Sequence, residues 1–383
     1  MESANASSPF GDARQIAVER AIAEFRAARP VAIRSGSTAL VAFPVDGATE
    51  AAMAFLQRGD GKPRVIVPGE KILAAGKWIR PVAALTLEPF TMEALDAYFG
   101  RDERVTAAAN GSFRAADRAE VAGLALSNLA LLLPAVLVAD AGASARDALP
   151  LLTVDAEDVF GFRDREAKAL KIVSRAFVPL EGAGSCEFVV FRGGDGFRDQ
   201  IAILVGNPTP GKPVSVRIHS ACLTGDLFGS LKCDCGEQLR GTVRAMAEEG
   251  GGAVLYLDQE GRGNGIANKI RAYRLQDQGF DTYDADELLG FGQDQRRFDF
   301  AADMLRLLGF TSVRLMTNNP LKIKALRDGG LNVLSTHRVL TRPTAQNVKY
   351  LAAKRDKAGH LLGDAGLDTF DSGEHPLSPA RHP

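Results

Sequence analysis

Arg217-Ile-His-Ser-Ala-Cys-Leu-Thr-Gly-Asp-Leu-Phe-Gly-Ser-Leu-Lys-Cys-Asp-Cys-Gly-Glu-Gln238 is the stretch from which the rest of the chain is read. The apolar run Val214–His219 predicts a strand leading into it. The composition of Gly236–Glu249, stopped by three glycines at 250–252, predicts a helix leading out. Strand, loop and helix in that order are the unit of an α/β fold. The loop holds Cys222, Cys233 and Cys235, three of the four cysteines. Thiolates suit zinc, and three of them leave a coordination position open, where a bound water reaches a pKa of about 7. A disulfide or a set of reactive thiols is the plainer alternative. Cys186 follows Gly-Ala-Gly-Ser and is not an obvious member of the set.

Two further strand-to-helix turns follow. Strand Ala253–Leu257 runs into Asp258-Gln-Glu-Gly-Arg-Gly-Asn-Gly265 and then a helix, Ile266–Gln278. Glycines in such a turn let backbone N–H groups and a helix N-terminus face phosphate, and Arg262 beside Glu260 adds a guanidinium that can fork onto it. Strand Val313–Met316 ends in Thr317-Asn-Asn-Pro320, with Asn319 as N-cap and Pro320 at the first helical position. Lys322 and Lys324 in that helix's first turns oppose its dipole unless an anion neutralises them, a solvated basic face being the alternative. Two such loops at the carboxyl edge of a sheet suit a triphosphate. Between them, Asp294 and Arg296 are two residues apart, so in an extended segment both point the same way; a surface salt bridge is the other reading.

These segments together resemble GTP cyclohydrolase II from about residue 171 to Leu362. The matching motifs are Arg217–Gln238, Gln259–Arg262, Asn268–Tyr273, Leu275–Gly279, Leu289–Phe291, Thr317–Pro320 and Gly359–Leu362. The resemblance implies zinc on Cys222, Cys233 and Cys235. It implies GTP contacts from Arg217, His219, Gln238, Glu260, Gly261, Arg262, Thr282, Thr317 and Lys322, with magnesium on the phosphates. Tyr273 stands where the family has a tyrosine implicated in ring opening, Asp294 at the proposed general base, and Arg296 at the proposed nucleophile toward the α-phosphate. A protonated guanidinium is a poor nucleophile, so charge stabilisation by Arg296 is the simpler hypothesis. The implied reaction opens the guanine ring of GTP at the start of riboflavin synthesis. It releases formate and pyrophosphate and leaves 2,5-diamino-6-ribosylamino-4(3H)-pyrimidinone 5′-phosphate. Asn264 stands where the family has an apolar residue and Asp286 where it usually has Asn. Either could truncate the reaction at a formamido product, or leave a GTP-binding regulatory pseudoenzyme. Family precedent for the assembly is a homodimer.

The N-terminal half alternates helix and strand: Ala17–Ala28, Val31–Ile33, Leu40–Phe43, Thr49–Gln57 and Arg64–Val67, with a turn at Pro68-Gly69. With Arg114–Ala119 it faintly resembles the synthase of dihydroxybutanone phosphate. However, Arg34–Phe43 lacks the carboxylates that magnesium needs, and all five histidines lie from His219 onward. The expectation is therefore a mixed α/β, α+β chain of two domains, the second a mixed sheet with flanking helices. Residues 1–12 read as a disordered arm, 13–165 as a degenerate synthase-like domain, 171–362 as the catalytic domain and 363–383 as a flexible tail. Val121–Ala139 has no charge over 19 residues, but Ser127, Asn128 and Pro134 make it a core helix and strand rather than a membrane span. A net charge of −1 offers nothing for nucleic acid or membrane, and free thiolates suit a reducing compartment, the cytoplasm.

Overall fold

In the first sheet the strands are Val31–Ser35 (β1), Thr38–Pro44 (β2), Arg64–Pro68 (β3), Val82–Leu87 (β4), Gly111–Ala115 (β5), Val136–Asp140 (β6) and Thr153–Asp155 (β7). The computed structural model that gives them describes residues 11–58, 61–69, 82–99, 111–141, 151–194, 198–292 and 294–339. Their order is β5-β4-β3-β6-β2-β1-β7, antiparallel except for β1 against β7. Pro68, expected in a turn, is the last paired residue of β3, opposite Val82. Arg34 and its neighbours form a tight hairpin with Ser35 opposite Thr38 and Gly36 at φ +59°.

One face of this sheet is covered by the helices Ala13–Arg26 and Arg118–Leu129. The first begins four residues before the expected Ala17, because Asp12 accepts the Arg14 N–H at 2.9 Å as N-cap; the arm therefore ends before Asp12, and residues 1–10 lie outside the described set. The second has a capping box between Asp117 and Glu120 and buries Ala122, Leu124 and Leu126. Its end, Pro134 and β6 account for the uncharged stretch as core, and no helix among the described residues is long and apolar enough to cross a membrane. Glu120 is fully buried but paired, to Arg64 at 2.8 Å and Arg114 at 2.6 Å.

The second sheet has strands Lys171–Leu180 (β8), Gly184–Arg192 (β9), Gln200–Gly206 (β10), Val214–Ser220 (β11), Gly251–Leu257 (β12), Ser312–Met316 (β13) and Asn332–His337 (β14). The order β14-β13-β11-β12-β10-β9-β8 is parallel from β14 to β12 and antiparallel from there on. The mixed sheet is the expected one; the ten-residue, largely exposed β8 is longer than the short strands expected after Lys171. In the parallel part, β11, β12 and β13 lie side by side and end at the same edge. The Gly359–Leu362 motif and the proposed tail lie outside the described residues.

Candidate active site

Of the three neighbouring strand ends, those of β11 and β12 deliver their loops to one cleft. From β11 the chain enters a short helix, Leu223–Asp226, with Cys222 immediately before it; Cys235 opens the helix Cys235–Glu248. Cys222, Cys233 and Cys235 bring their Sγ atoms within 4.8 Å of one another, and Cys222 to Cys233 is 3.6 Å. Cys186 is buried in β9 away from them. Glycine is required between the sulfurs: a Cβ on Gly225 would lie 2.8 Å from Cys233 Sγ and 3.1 Å from Cys222 Sγ. The loop also turns tightly against the next helix, where a Cβ on Gly236 would sit 2.1 Å from Gly225 O.

The charge around the sulfurs suits thiolate. Hydrogen bonds from Cys233 and Cys235, then the Lys269 ammonium at 3.1 Å, pull the Cys222 pKa far down, while Cys233 keeps its proton by sharing it with Cys222. Burial works against the Lys269 charge. The Cys222 thiolate and Glu260 at 2.8 Å outweigh it, and its pKa is raised. Glu260 also accepts the Leu223 N–H at 2.5 Å, and Lys269 donates to Thr224 Oγ1 at 3.0 Å. Convergent sulfurs, a glycine cradle and a compensating cation fit a bound zinc ion, with the Cys₃ donor set that the spacing suggested.

Behind this loop, Asp226 accepts the Cys222 N–H at 2.9 Å, the Tyr256 hydroxyl at 3.0 Å and His219 Nε2 at 3.1 Å. His219 is buried and stacked on Tyr256. Burial lowers its pKa despite Asp226, which leaves it neutral with Nε2 as donor. This is a supporting position; His219 does not line the cleft.

The loop after β12 contains a 3₁₀ turn, Glu260–Gly263, in which Arg262 takes φ +59°. That conformation, rare for a residue with a Cβ, turns its guanidinium over the Tyr283 ring at 3.8 Å and onto Asp286 at 3.0 Å. Burial raises the Asp286 pKa to about 6, against the pull of Arg262. Tyr273, at helical spacing from Lys269, faces Thr224 at 3.5 Å, and burial raises its pKa. Asp294 and Arg296 sit in an irregular rather than a paired segment, but their side chains meet as expected: Nε to Oδ1 is 2.9 Å and the second guanidinium nitrogen to Oδ2 is 2.6 Å. Burial opposes the Asp294 charge, yet the bonds from Arg296 win and hold the carboxyl below the usual range. Arg296 also reaches Ser220 Oγ at 3.4 Å.

Of the expected substrate residues, Glu260, Gly261, Arg262, Thr282, Tyr273 and Arg296 line the same cleft as the three cysteines. The others are set deeper or elsewhere. Arg217 is buried and donates to Gln238, which lines a separate cavity beside Arg338. Thr317 Oγ1 accepts the Asn319 N–H at 3.0 Å. Lys322 is buried with Nζ on Ile218 O at 2.7 Å, so a backbone carbonyl satisfies it here, while Lys324 is an exposed partner of Asp328. Asp286, singled out only as a departure from the family pattern, lines the cleft, and Lys269 belongs to it without having been singled out for a role. Lys269 was legible as one turn before Tyr273 on a helix, hence on the same face.

The comparisons with known proteins fall on this half first. Residues 171–339 match the family model described as GTP cyclohydrolase II. A protein named GTP cyclohydrolase-2 from Xylella fastidiosa strain Temecula1 is 41% identical over 360 residues, covering 92% of this chain and 89% of its own length. A riboflavin biosynthesis protein RibBA from Phocaeicola vulgatus is 40% identical over 212 residues, 55% of this chain and 52% of that protein. Among solved structures, RibBX, a two-domain 3,4-dihydroxy-2-butanone 4-phosphate synthase from A. baumannii, aligns over 85% of this chain and 99% of its own at 15% identity. Its TM-score of 0.32 is too low to argue a shared fold.

Proposed function

The chain belongs to the GTP cyclohydrolase II family, and on that premise we propose that it hydrolyses GTP with opening of the guanine ring. The products are formate, pyrophosphate and 2,5-diamino-6-ribosylamino-4(3H)-pyrimidinone 5′-phosphate, the first step of riboflavin biosynthesis. One observation carries this reading: three cysteine sulfurs converge in the same cleft as Arg262, Tyr273 and Arg296, the last held by Asp294.

Cys222, Cys233 and Cys235 would hold one zinc ion, which would supply Lewis acidity and an activated water for ring opening. Lys269 offsets the thiolate charge, and the Gly225 cradle fixes the sulfur spacing. Arg262 and Arg296, anchored on Asp286 and Asp294, present guanidinium donors where a triphosphate would enter past the 3₁₀ turn. Arg296 stays protonated in its fork with Asp294, so it stabilises charge at the α-phosphate rather than attacking it. Asp294, held ionised, orients that guanidinium and is the available base on this side. Arg217, Gln238, Thr317 and Lys322 keep a substrate role only through the family resemblance, since they lie outside this cleft, and His219 acts from behind through Asp226. Magnesium accompanies the phosphates, as for most nucleoside triphosphates. The N-terminal half, residues 13–165, is a degenerate synthase-like domain without catalytic acids. The protein works in the cytoplasm as a homodimer.

Purified zinc-loaded protein is incubated with GTP and magnesium, with formate and pyrophosphate followed separately and the pyrimidine identified by mass. Equal release of both supports the reading, with Cys233→Ser abolishing formate. Pyrophosphate alone shows a reaction truncated at the formamido product, and release of neither moves the chain to a different substrate or a regulatory role. A trapped guanylyl adduct that disappears in Arg296→Lys would restore the nucleophilic role to Arg296.

A further inference from the structure

The helix Ile266–Asp277 has two working faces. Lys269, Tyr273 and Gln276, spaced by four and three residues, face the cleft. Asn268, Arg271 and Leu275, spaced by three and four residues, face the N-terminal half. The third face, with Ile266, Ile270 and Arg274, is exposed, so the position of the helix is set by the contacts on the other two.

The contacts on the second face are specific. Asn268 is buried, and its Nδ2 donates to Leu131 O at 3.1 Å and to Asn264 O at 2.9 Å. Leu131 takes φ +59°, and its side chain packs so close to Gly265 that a Cβ there would lie 3.1 Å away. Arg271 forks onto Asp46 at 2.7 and 3.2 Å and donates to Asn268 Oδ1 at 2.6 Å; Asp46 in turn accepts the Leu133 N–H at 2.8 Å. Around these polar links, Leu275, Leu289 and Phe291 are buried in the same apolar cluster as Met53, Leu56 and Leu133.

We propose that the N-terminal half is a positioning element for the triphosphate cleft. It is coupled to the cleft through Asn268 and Arg271, which lock the helix that presents Lys269 and Tyr273. The inference rests on the reading of that cleft as a GTP site. Asp46 and Leu131 touch no cleft group; they act through the helix. Occupying the cleft therefore tightens the N-terminal half, and loosening the Asp46–Arg271 fork weakens GTP binding.

Hydrogen exchange of the full zinc-loaded chain is measured with and without a non-hydrolysable GTP analogue, together with steady-state kinetics of Asp46→Ala and Asp46→Glu. Slowed exchange is expected in the cleft peptide 258–265 and also in peptides 46–57 and 131–140. In Asp46→Ala the N-terminal slowing should be lost and KM for GTP raised about fivefold with kcat little changed, and Asp46→Glu should recover most of the loss. Slowing in 258–265 with none in 46–57 and 131–140 overturns the coupling alone. No slowing anywhere overturns the GTP reading and the coupling with it. A lowered melting temperature of Asp46→Ala with unchanged KM reduces the fork to a structural contact and also overturns it. The parent's exchange pattern decides the matter even if the alanine variant fails to fold.

Discussion

At Gly225 the absence of a side chain is part of the metal site. An added methyl would meet the sulfurs of both Cys233 and Cys222, and those sulfurs cannot retreat without opening the triangle they form. Gly225→Ala should lose metal affinity by about 10- to 100-fold in competition with a chelator while keeping its circular-dichroism spectrum. An unchanged affinity would show that the loop opens at no cost. Asp286 offers a test by pH. Its carboxyl is buried and raised to about 6, so the folded chain binds that proton more tightly than the unfolded one. The stability from this group is full below pH about 4 and is lost as pH rises through about 6, a loss of about 3 kcal/mol at most. Asp286→Asn should consequently be the more stable protein at pH 8 in urea titrations, with the difference closing toward pH 4. Equal stability of the two proteins at pH 8 would mean that Arg262, at 3.0 Å, already cancels the burial cost.

At the level of elements, the caps were readable and the strained turn was not. Asn319 accepts the Leu321 N–H at 2.9 Å and precedes Pro320, as its position before an apolar-periodic run predicts. Replacing it by alanine should cost about 1 kcal/mol in denaturant titrations. A change within error would mean that water caps the helix equally well. In Asp258–Gly265, by contrast, the glycines announced a turn but not a 3₁₀ segment with Arg262 at φ +59°. No local preference of arginine favours that conformation. The ring of Tyr283 and the carboxylate of Asp286 hold it, and both arrive from the second helix after the turn, Thr282–Leu289. The edge strand β8 escaped for a related reason: its residues are mostly exposed, so its hydrophobic alternation is weak.

Across the whole molecule each sheet has a core of its own, but a further cluster joins the two halves. The cluster on one face of the first sheet includes Val41, Val67 and Leu85 together with Ala272, Ala285 and Leu289 of the second half. Two units that share buried apolar surface lose it together when either unfolds. Calorimetry of the intact chain should therefore show one transition for both halves, and two resolved transitions would show that the shared cluster is too small to couple them.

From the residues alone follow the strand–loop–helix units that begin at Val214, Ala253 and Val313, the three-cysteine spacing, the Asn319–Pro320 helix start and the pairing of Asp294 with Arg296. Each is a relation between residues close in the chain, where period, capping and spacing act directly. Tertiary structure alone decided the rest. Lys269 meets Cys222 across 47 positions, and Arg271 meets Asp46 across 225. It also buries His219 behind the metal loop and places Lys322 on a carbonyl of β11. These contacts exist because parallel β11, β12 and β13 end at one edge and because the first sheet covers the far side of the cleft helices. Strand order and burial depend on which distant apolar faces find each other, and no window of neighbouring residues carries that information.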